Sequence, residues 1–224
     1  MSKPINIAID GPSGAGKSTL ARRLAAELNF VYVDTGAMFR TIALYCSRKG
    51  VDASDEDAVL ALLPEISLDM SYGPGGEQQM LLNGENVSGL IRTPEISMYT
   101  SAISAYAQVR AFLLEQQREL GRRSNILMDG RDIGTVVLPD ADVKIYLTAA
   151  PEARAHRRWL ELAEKGESVT EEEVLRDVVQ RDYNDTHRDV APLRQAEDAV
   201  LADTTHCDLE ESYQLLLGII KERM

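Results

Sequence analysis

Apolar positions along this chain follow two rhythms. Mostly apolar runs at "INIAI" (5–9), "FVYV" (30–33), "NILMD" (125–129, ending in an acid) and "VKIYL" (143–147) have the length of strands buried on both faces, and "AVLA" (199–202) is a shorter run of the same kind. Between them lie stretches of helical periodicity at about 17–28, 37–49, 151–164, 171–187 and 208–222, with Gly50 as a plausible C-terminal stop. Strands that alternate with helices in this way predict an α/β fold with a parallel sheet and crossover helices.

The rhythm changes in the middle. Ile66, Leu68, Met70 and Tyr72 alternate with Ser67, Asp69 and Ser71, the period of a half-exposed strand. "GPGG" (73–76) supplies a turn, "QMLL" a second strand, Asn83-Gly84 a hairpin and "NVSGLI" a third strand. Residues 64–93 are therefore expected to form a small antiparallel insert in a core made of 1–63 and 94–224. Thr93-Pro94 then opens a helix, threonine as cap and proline in the first turn, that the pattern carries to about Leu120.

Composition narrows the partners. The 224 residues carry a net charge of −12, which argues against nucleic acid or an anionic membrane as a bulk partner. Two cysteines and three scattered histidines offer no disulfide framework and no metal spacing. The N-terminal stretch lacks a signal-like apolar core, and "LLLGII" near the end falls far short of a membrane span. A reduced, cytoplasmic protein is expected. It is also expected to be a monomer, since no long apolar stripe stands out.

The first chemical motif is "GPSGAGKST". Gly11, Gly16, Lys17 and Ser18 meet the pattern G-x-x-x-x-G-K-[ST], with a strand before and a helix after. In such a loop the backbone N–H groups of Gly11, Pro12's neighbours Ser13, Gly14 and Ala15, Gly16 and Thr19 can converge on phosphate oxygens at a helix N-terminus. Lys17 can reach the β- and γ-phosphates and the Ser18 hydroxyl can ligate Mg²⁺. The chain has no N-K-x-D guanine reader, and Asp129 is followed by Gly130 rather than by a water-activating glutamate. Transfer of the phosphoryl group to an acceptor is favoured over hydrolysis.

Arginines then point to the acceptor. Arg40 follows the strand-end Asp34 in "DTGAMFR", Arg131 and Asp132 follow Asp129 in "DGRDIGTVV", and Arg181, Asp185 and Arg188 share one helix face in "RDYNDTHR". "RAHRR" sets Arg154 within one turn of Arg157 and Arg158. A triphosphate meeting a second phosphate needs dense cationic neutralisation, and arginine gives planar, permanently charged contacts. A phosphate acceptor is largely ionised at neutral pH, its second pKa being about 6, so no general base is required. Two readings remain beside this one. One is a kinase for another monophosphate or for an alcohol, with Asp34 as base. The other is an ATP-binding regulator without activity, which would need only one phosphate site.

Taken together, "IDGPSGAGKST", "DTGAMFR", "VSGLIRT", "DGRDIGTVV" with "PDADVKIYL", "RAHRR" and "RDYNDTHRDVAPL" resemble the nucleoside monophosphate kinases and, more narrowly, the bacterial cytidylate kinases. The resemblance spans nearly the whole chain. It implies a P-loop NTPase fold with a five-stranded parallel sheet, a nucleoside-monophosphate-binding insert and a short helical lid at about 154–188. It also implies phosphorylation of CMP and dCMP by ATP with Mg²⁺. By the same resemblance Arg40 and Arg131 would hold the acceptor phosphate, Arg188 would sit near it, and Asp185 with Arg181 would meet the ribose. Ser101, Arg110 and Asp132 would read the base, Thr35 would stand where relatives commonly carry serine, and Arg154, Arg157 and Arg158 would face ATP. Ser101 and Arg110 are nine residues apart and would point to opposite sides of one straight helix. A break between Ile103 and Gln108 is therefore expected.

Overall fold

The computed structural model describes residues 3–74, 76–164 and 166–224. Five parallel strands, β1 (Asn6–Asp10), β2 (Val31–Asp34), β6 (Ile126–Gly130), β7 (Val143–Thr148) and β8 (Val200–Asp203), form the central sheet in the order β2-β6-β1-β7-β8. Residues of β1, β6 and β7 are almost wholly buried, as their mostly apolar runs require. Helices α1 (Lys17–Leu28) and α8 (Leu209–Arg223) cover one face through Leu20, Leu24, Tyr213, Leu216 and Ile220. On the other, α5 (Ala107–Arg123) and a π-helical turn at Ile133–Val137 pack on Ala8, Val33, Ile126 and Met128.

A separate three-stranded antiparallel sheet, β3 (Leu68–Tyr72), β4 (Gln78–Leu82) and β5 (Glu85–Asn86), lies in the expected insert. Asn83 and Gly84 both take positive φ, 50° and 85°, the conformation a two-residue hairpin turn demands. The third strand is shorter than the sequence suggests: pairing stops at Asn86, and residues 88–93 run as turns. Gly75, within the expected "GPGG" turn, lies outside the described residues. The insert shares one apolar core with α2 (Thr35–Arg48), where Leu68, Met80 and Leu82 meet Met38, Ile42 and Val87. Helix α3 (Glu56–Leu62), capped by the Asp55 carboxylate, joins this core through Val59 and had no clear signal in the pattern.

The helix opened by Thr93 is interrupted as expected. α4 (Pro94–Ile103) ends at Ser104, and α5 starts afresh after Tyr106. Beyond β7, α6 (Pro151–Glu164) and α7 (Glu171–His187) form a hairpin with its own small core of Ala155, Leu162, Val174 and Val178. Thr170 and Glu173 form a reciprocal capping box at the start of α7. Of the 164–168 segment between these helices, Lys165 lies outside the described residues. No described helix is long and apolar enough to cross a membrane.

Candidate active site

The glycine loop occupies the C-terminal end of β1, at the centre of the sheet. Gly11 has φ 152°, and a Cβ there would sit 1.9 Å from the Leu147 carbonyl oxygen, so only glycine fits. Lys17 is buried and its Nζ donates to the Pro12 carbonyl at 2.7 Å. Burial, reinforced by Arg131, lowers its pKa to about 7, although Asp129, Asp185 and Asp10 pull the other way. The Asp10 carboxylate accepts from the backbone of Ile133 and Gly134, both at 2.7 Å, and so ties the π-helical turn to the loop.

Asp129, at the end of β6, completes the donor side. It accepts from Ser18 Oγ at 3.0 Å and from the Tyr32 hydroxyl at 2.9 Å. Burial and the nearby Asp34 raise its pKa to about 6 against the pull of Lys17. A hydroxyl braced by a carboxylate is a hard-oxygen donor set suited to Mg²⁺. Gly130 leaves room for its neighbours: a Cβ would lie 2.7 Å from Thr35 Oγ1 and 2.6 Å from Ile133 Cδ1, so both side chains would have to shift.

Across the sheet lies a network of arginines and carboxylates. Asp34 caps α2 through Ala37 N, and its Oδ2 accepts from both Arg40 (2.9 Å) and Arg92 (2.8 Å). Burial would raise the Asp34 pKa, but the two guanidiniums hold it below the ordinary range. Arg131 Nε donates to Asp185 Oδ2 at 2.7 Å. Arg110 pairs with Asp132 by a short hydrogen bond and donates to the Ser104 carbonyl at 3.0 Å. Arg188 Nη2 lies 3.6 Å from Asp132 Oδ1, and Nη1 is 4.0 Å from Asp185 Oδ1. Burial, with Arg110 and Arg131 nearby, pushes the Arg188 pKa down to about 10. Two donors in this group are buried with no hydrogen-bond partner among the described residues, Arg40 Nε and Arg188 Nη2. Arg181 shows no ion pair among the described residues, and burial lowers its pKa, with Arg158 and Arg131 adding to the effect and Asp177 opposing it.

The structure thus brings Arg110, Asp132, Arg131, Asp185 and Arg188 into one connected network. Among the described residues Ser101 reaches it through Ser104, whose hydroxyl donates to the Ser101 carbonyl at 3.1 Å while its own carbonyl accepts from Arg110. The Thr35 hydroxyl is buried and donates to the Asp129 carbonyl at 2.8 Å. The "RAHRR" arginines diverge. Arg154, 2% exposed, donates to the Ala149 and Ser13 carbonyls and forks onto Asp182 at 3.0 and 2.5 Å. It latches α6, α7 and the glycine loop together. Arg157 donates to the Thr204 and Cys207 carbonyls, and Arg158 pairs with Glu161 on the surface. A cavity of about 350 Å³ opens beside the latch, bordered by Pro12, Tyr146, Thr186 and Leu193. Asp182→Ala should leave Arg154 buried without its counter-charge. We expect a loss of about 2 kcal/mol and a Tm lower by roughly 6 °C in calorimetry. An unchanged Tm would remove the latch.

Sequence reasoning passed over four residues of this site: Asp10, Asp129 as the brace of Ser18, Tyr32 and Arg92. Asp10 and Asp129 had a usable signal, since each ends a buried strand at the edge where open α/β sheets bind ligands. Arg92 immediately precedes the Thr93 cap, but nothing in its neighbours points to Asp34.

A glycine loop on the central strand, a carboxylate-braced serine beside it and a facing set of arginines define a small P-loop phosphotransferase. The family model for cytidylate kinase matches residues 7–222. A cytidylate kinase of Geobacter sp. (strain M21) is 52% identical over 219 residues, covering 97% of this chain and 93% of its own. One from Thermosipho melanesiensis is 48% identical over 220 residues, with 98% of each covered. Among solved structures, an uncharacterized protein from Eubacterium ventriosum aligns with a TM-score of 0.50 at 14% identity, over 99% of this chain and 100% of that one, a likeness of fold. The chain belongs to the cytidylate kinase family.

Proposed function

We propose that this chain transfers the γ-phosphoryl group of ATP to CMP and dCMP, giving ADP and the cytidine diphosphates of pyrimidine nucleotide metabolism in the cytoplasm. One observation carries the acceptor half: Arg40 and Arg188 each hold a buried N–H with no partner among the described residues, beside carboxylates already paired to other arginines. A buried guanidinium N–H left unpaired is costly, and an acceptor phosphate would satisfy both.

In this reading the glycine loop and Lys17 hold the donor phosphates. An oxygen of the CMP phosphate attacks the γ-phosphorus, a new P–O bond forms, and the bond to the β-bridging oxygen breaks as ADP leaves. Arg40, Arg131 and Arg188 neutralise the acceptor and the charge developing in flight. Asp185 and Arg181 take the ribose, while Arg110 and Asp132 take the base. Ser18, braced by Asp129, would hold Mg²⁺, which neutralises the β- and γ-phosphate oxygens when bound. The three-stranded sheet at 64–93 serves as the acceptor-binding insert. The α6–α7 hairpin, within about 154–188, serves as a lid over ATP, with Arg181 and, once it leaves Glu161, Arg158 turning inward. Every group needed belongs to one chain, which supports a monomer. The net charge of −12 supports small nucleotides rather than nucleic acid as partners.

The test is turnover with ATP and Mg²⁺ against CMP, dCMP, UMP, AMP and GMP, followed as ADP release. We expect both cytidine nucleotides to react fastest. Turnover of another monophosphate with both cytidine nucleotides idle would refute the specificity, and no turnover with any would favour a non-catalytic ATP-binding role.

A further inference from the structure

β2 is an edge strand of the central sheet, paired on one side only, with β6. Because strand residues alternate, Tyr32 and Asp34 turn backbone groups to the open side. Those groups are covered by the insert. Gln78 pairs with Asp34 as a neighbouring strand would, its Oε1 accepting from Asp34 N at 2.7 Å and its Nε2 donating to Asp34 O at 3.4 Å. The Tyr72 hydroxyl donates to the Tyr32 carbonyl at 3.0 Å. Tyr72 and Gln78 are directly opposite each other in the β3–β4 ladder, at the end nearest the 73–77 connection. One cross-strand pair thus caps two successive rungs of β2.

The rungs matter for what they carry. Asp34 holds Arg40 and Arg92, and Arg92 leaves the insert just before α4. The Tyr32 hydroxyl holds Asp129, which braces Ser18. The seat is close: the cleft between hairpin tip and α1, bordered by Ser18, Arg22, Tyr32, Asp34, Gln78 and Arg92, measures only about 50 Å³.

We infer that Gln78 and Tyr72 are positioning residues for the acceptor site, docking the hairpin tip on the edge of β2 so that Asp34 holds Arg40 in place for the incoming phosphate. The inference rests on the reaction proposed above. Gln78 touches no substrate. It acts through the backbone of Asp34, so loss of the dock should weaken acceptor binding and spare donor binding.

The test uses the full-length enzyme with Gln78→Met, which keeps length and removes both hydrogen bonds, and Tyr72→Phe, which removes only a hydroxyl. Gln78→Met should raise KM for CMP about tenfold, lower kcat by less than about threefold and leave the ATP Kd, measured without CMP, within about twofold. Tyr72→Phe should raise KM for CMP about threefold. The Asp34 amide should exchange with solvent about tenfold faster in Gln78→Met, because the one acceptor it has among the described residues is gone. A KM for CMP within about twofold of wild type in Gln78→Met, or ATP affinity falling in step with CMP affinity, overturns the inference. If Gln78→Met does not fold, Tyr72→Phe decides by the same criteria, its unchanged KM counting against the dock. A wild-type enzyme idle on CMP would refute the reaction instead, and unchanged Asp34 exchange in Gln78→Met would still refute the dock.

Discussion

Arg188→Met is expected to lower kcat/KM for CMP about a thousandfold while leaving the free protein at least as thermally stable as wild type. The two halves of this result have one cause. Arg188 sits at the end of α7, where Nε donates to the Ala191 carbonyl across a turn that puts Ala191 at φ 48°. Its side chain is 5% exposed, its Nη2 finds no hydrogen-bond partner among the described residues, and its nearest carboxylates are shared with Arg110 and Arg131. In the free protein this cation has been desolvated for little return, and such groups are often replaced by apolar side chains without loss of stability. With both nucleotides bound the balance reverses. Phosphoryl transfer spreads charge over oxygens that an arginine can neutralise, and such arginines supply about 10³-fold or more of rate, or about 4 kcal/mol. Steady-state kinetics with CMP, ATP Kd and calorimetry on the same preparation check the prediction. A loss of activity below about tenfold, or a fall in Tm large enough to account for the loss, would return Arg188 to a structural role.

The parts of the molecule that the sequence disclosed are those set by local pattern. The buried runs, the glycine loop and the Asn83-Gly84 turn each depend on a few adjacent residues. The break between α4 and α5 was legible only with the family resemblance, which assigns Ser101 and Arg110 to one base, because one straight helix cannot turn both to the same side over nine residues. What escaped depends on pairs far apart in the chain. Asp129 and Ser18 are separated by 111 positions, and Arg92 and Asp34 by 58. Arg154 shows the same limit: "RAHRR" gives no sign of its bonds to Asp182, Ser13 and Ala149, which only the packing of α6 against α7 and the loop could reveal. α3 stayed hidden because seven residues with one buried side chain, Val59, are too few for a period to register.

Asp132→Asn is expected to reduce the preference for CMP over UMP about a hundredfold, with ATP affinity unchanged. Asp132 is 5% exposed, and its two oxygens face Arg110 and Arg188. As a carboxylate it can only accept, which suits the amino group of cytosine, while Arg110 can donate to O2 and N3. Uracil offers a carbonyl where cytosine has the amino group and an N–H where cytosine has a bare nitrogen. Each mismatch leaves a buried group unpaired at about 1–3 kcal/mol, so two give roughly two orders of magnitude. An asparagine keeps a single acceptor oxygen, which Arg110 and Arg188 hold, and so presents an N–H₂ where the uracil carbonyl would lie and the cytosine amino group needs an acceptor, moving both terms toward UMP. The same change strips charge from between Arg110 and Arg188, so a lower Tm accompanies it, and stability alone cannot separate the roles. The ratio can. Asp185→Asn also neutralises a buried carboxylate of this network, paired there to Arg131, but on the ribose side. It should weaken CMP and UMP alike and leave their ratio within about threefold. If Asp132→Asn likewise leaves the ratio fixed, the base is read elsewhere, and the Arg110–Asp132 pair serves only to close the end of α5 against the turn at 133–137.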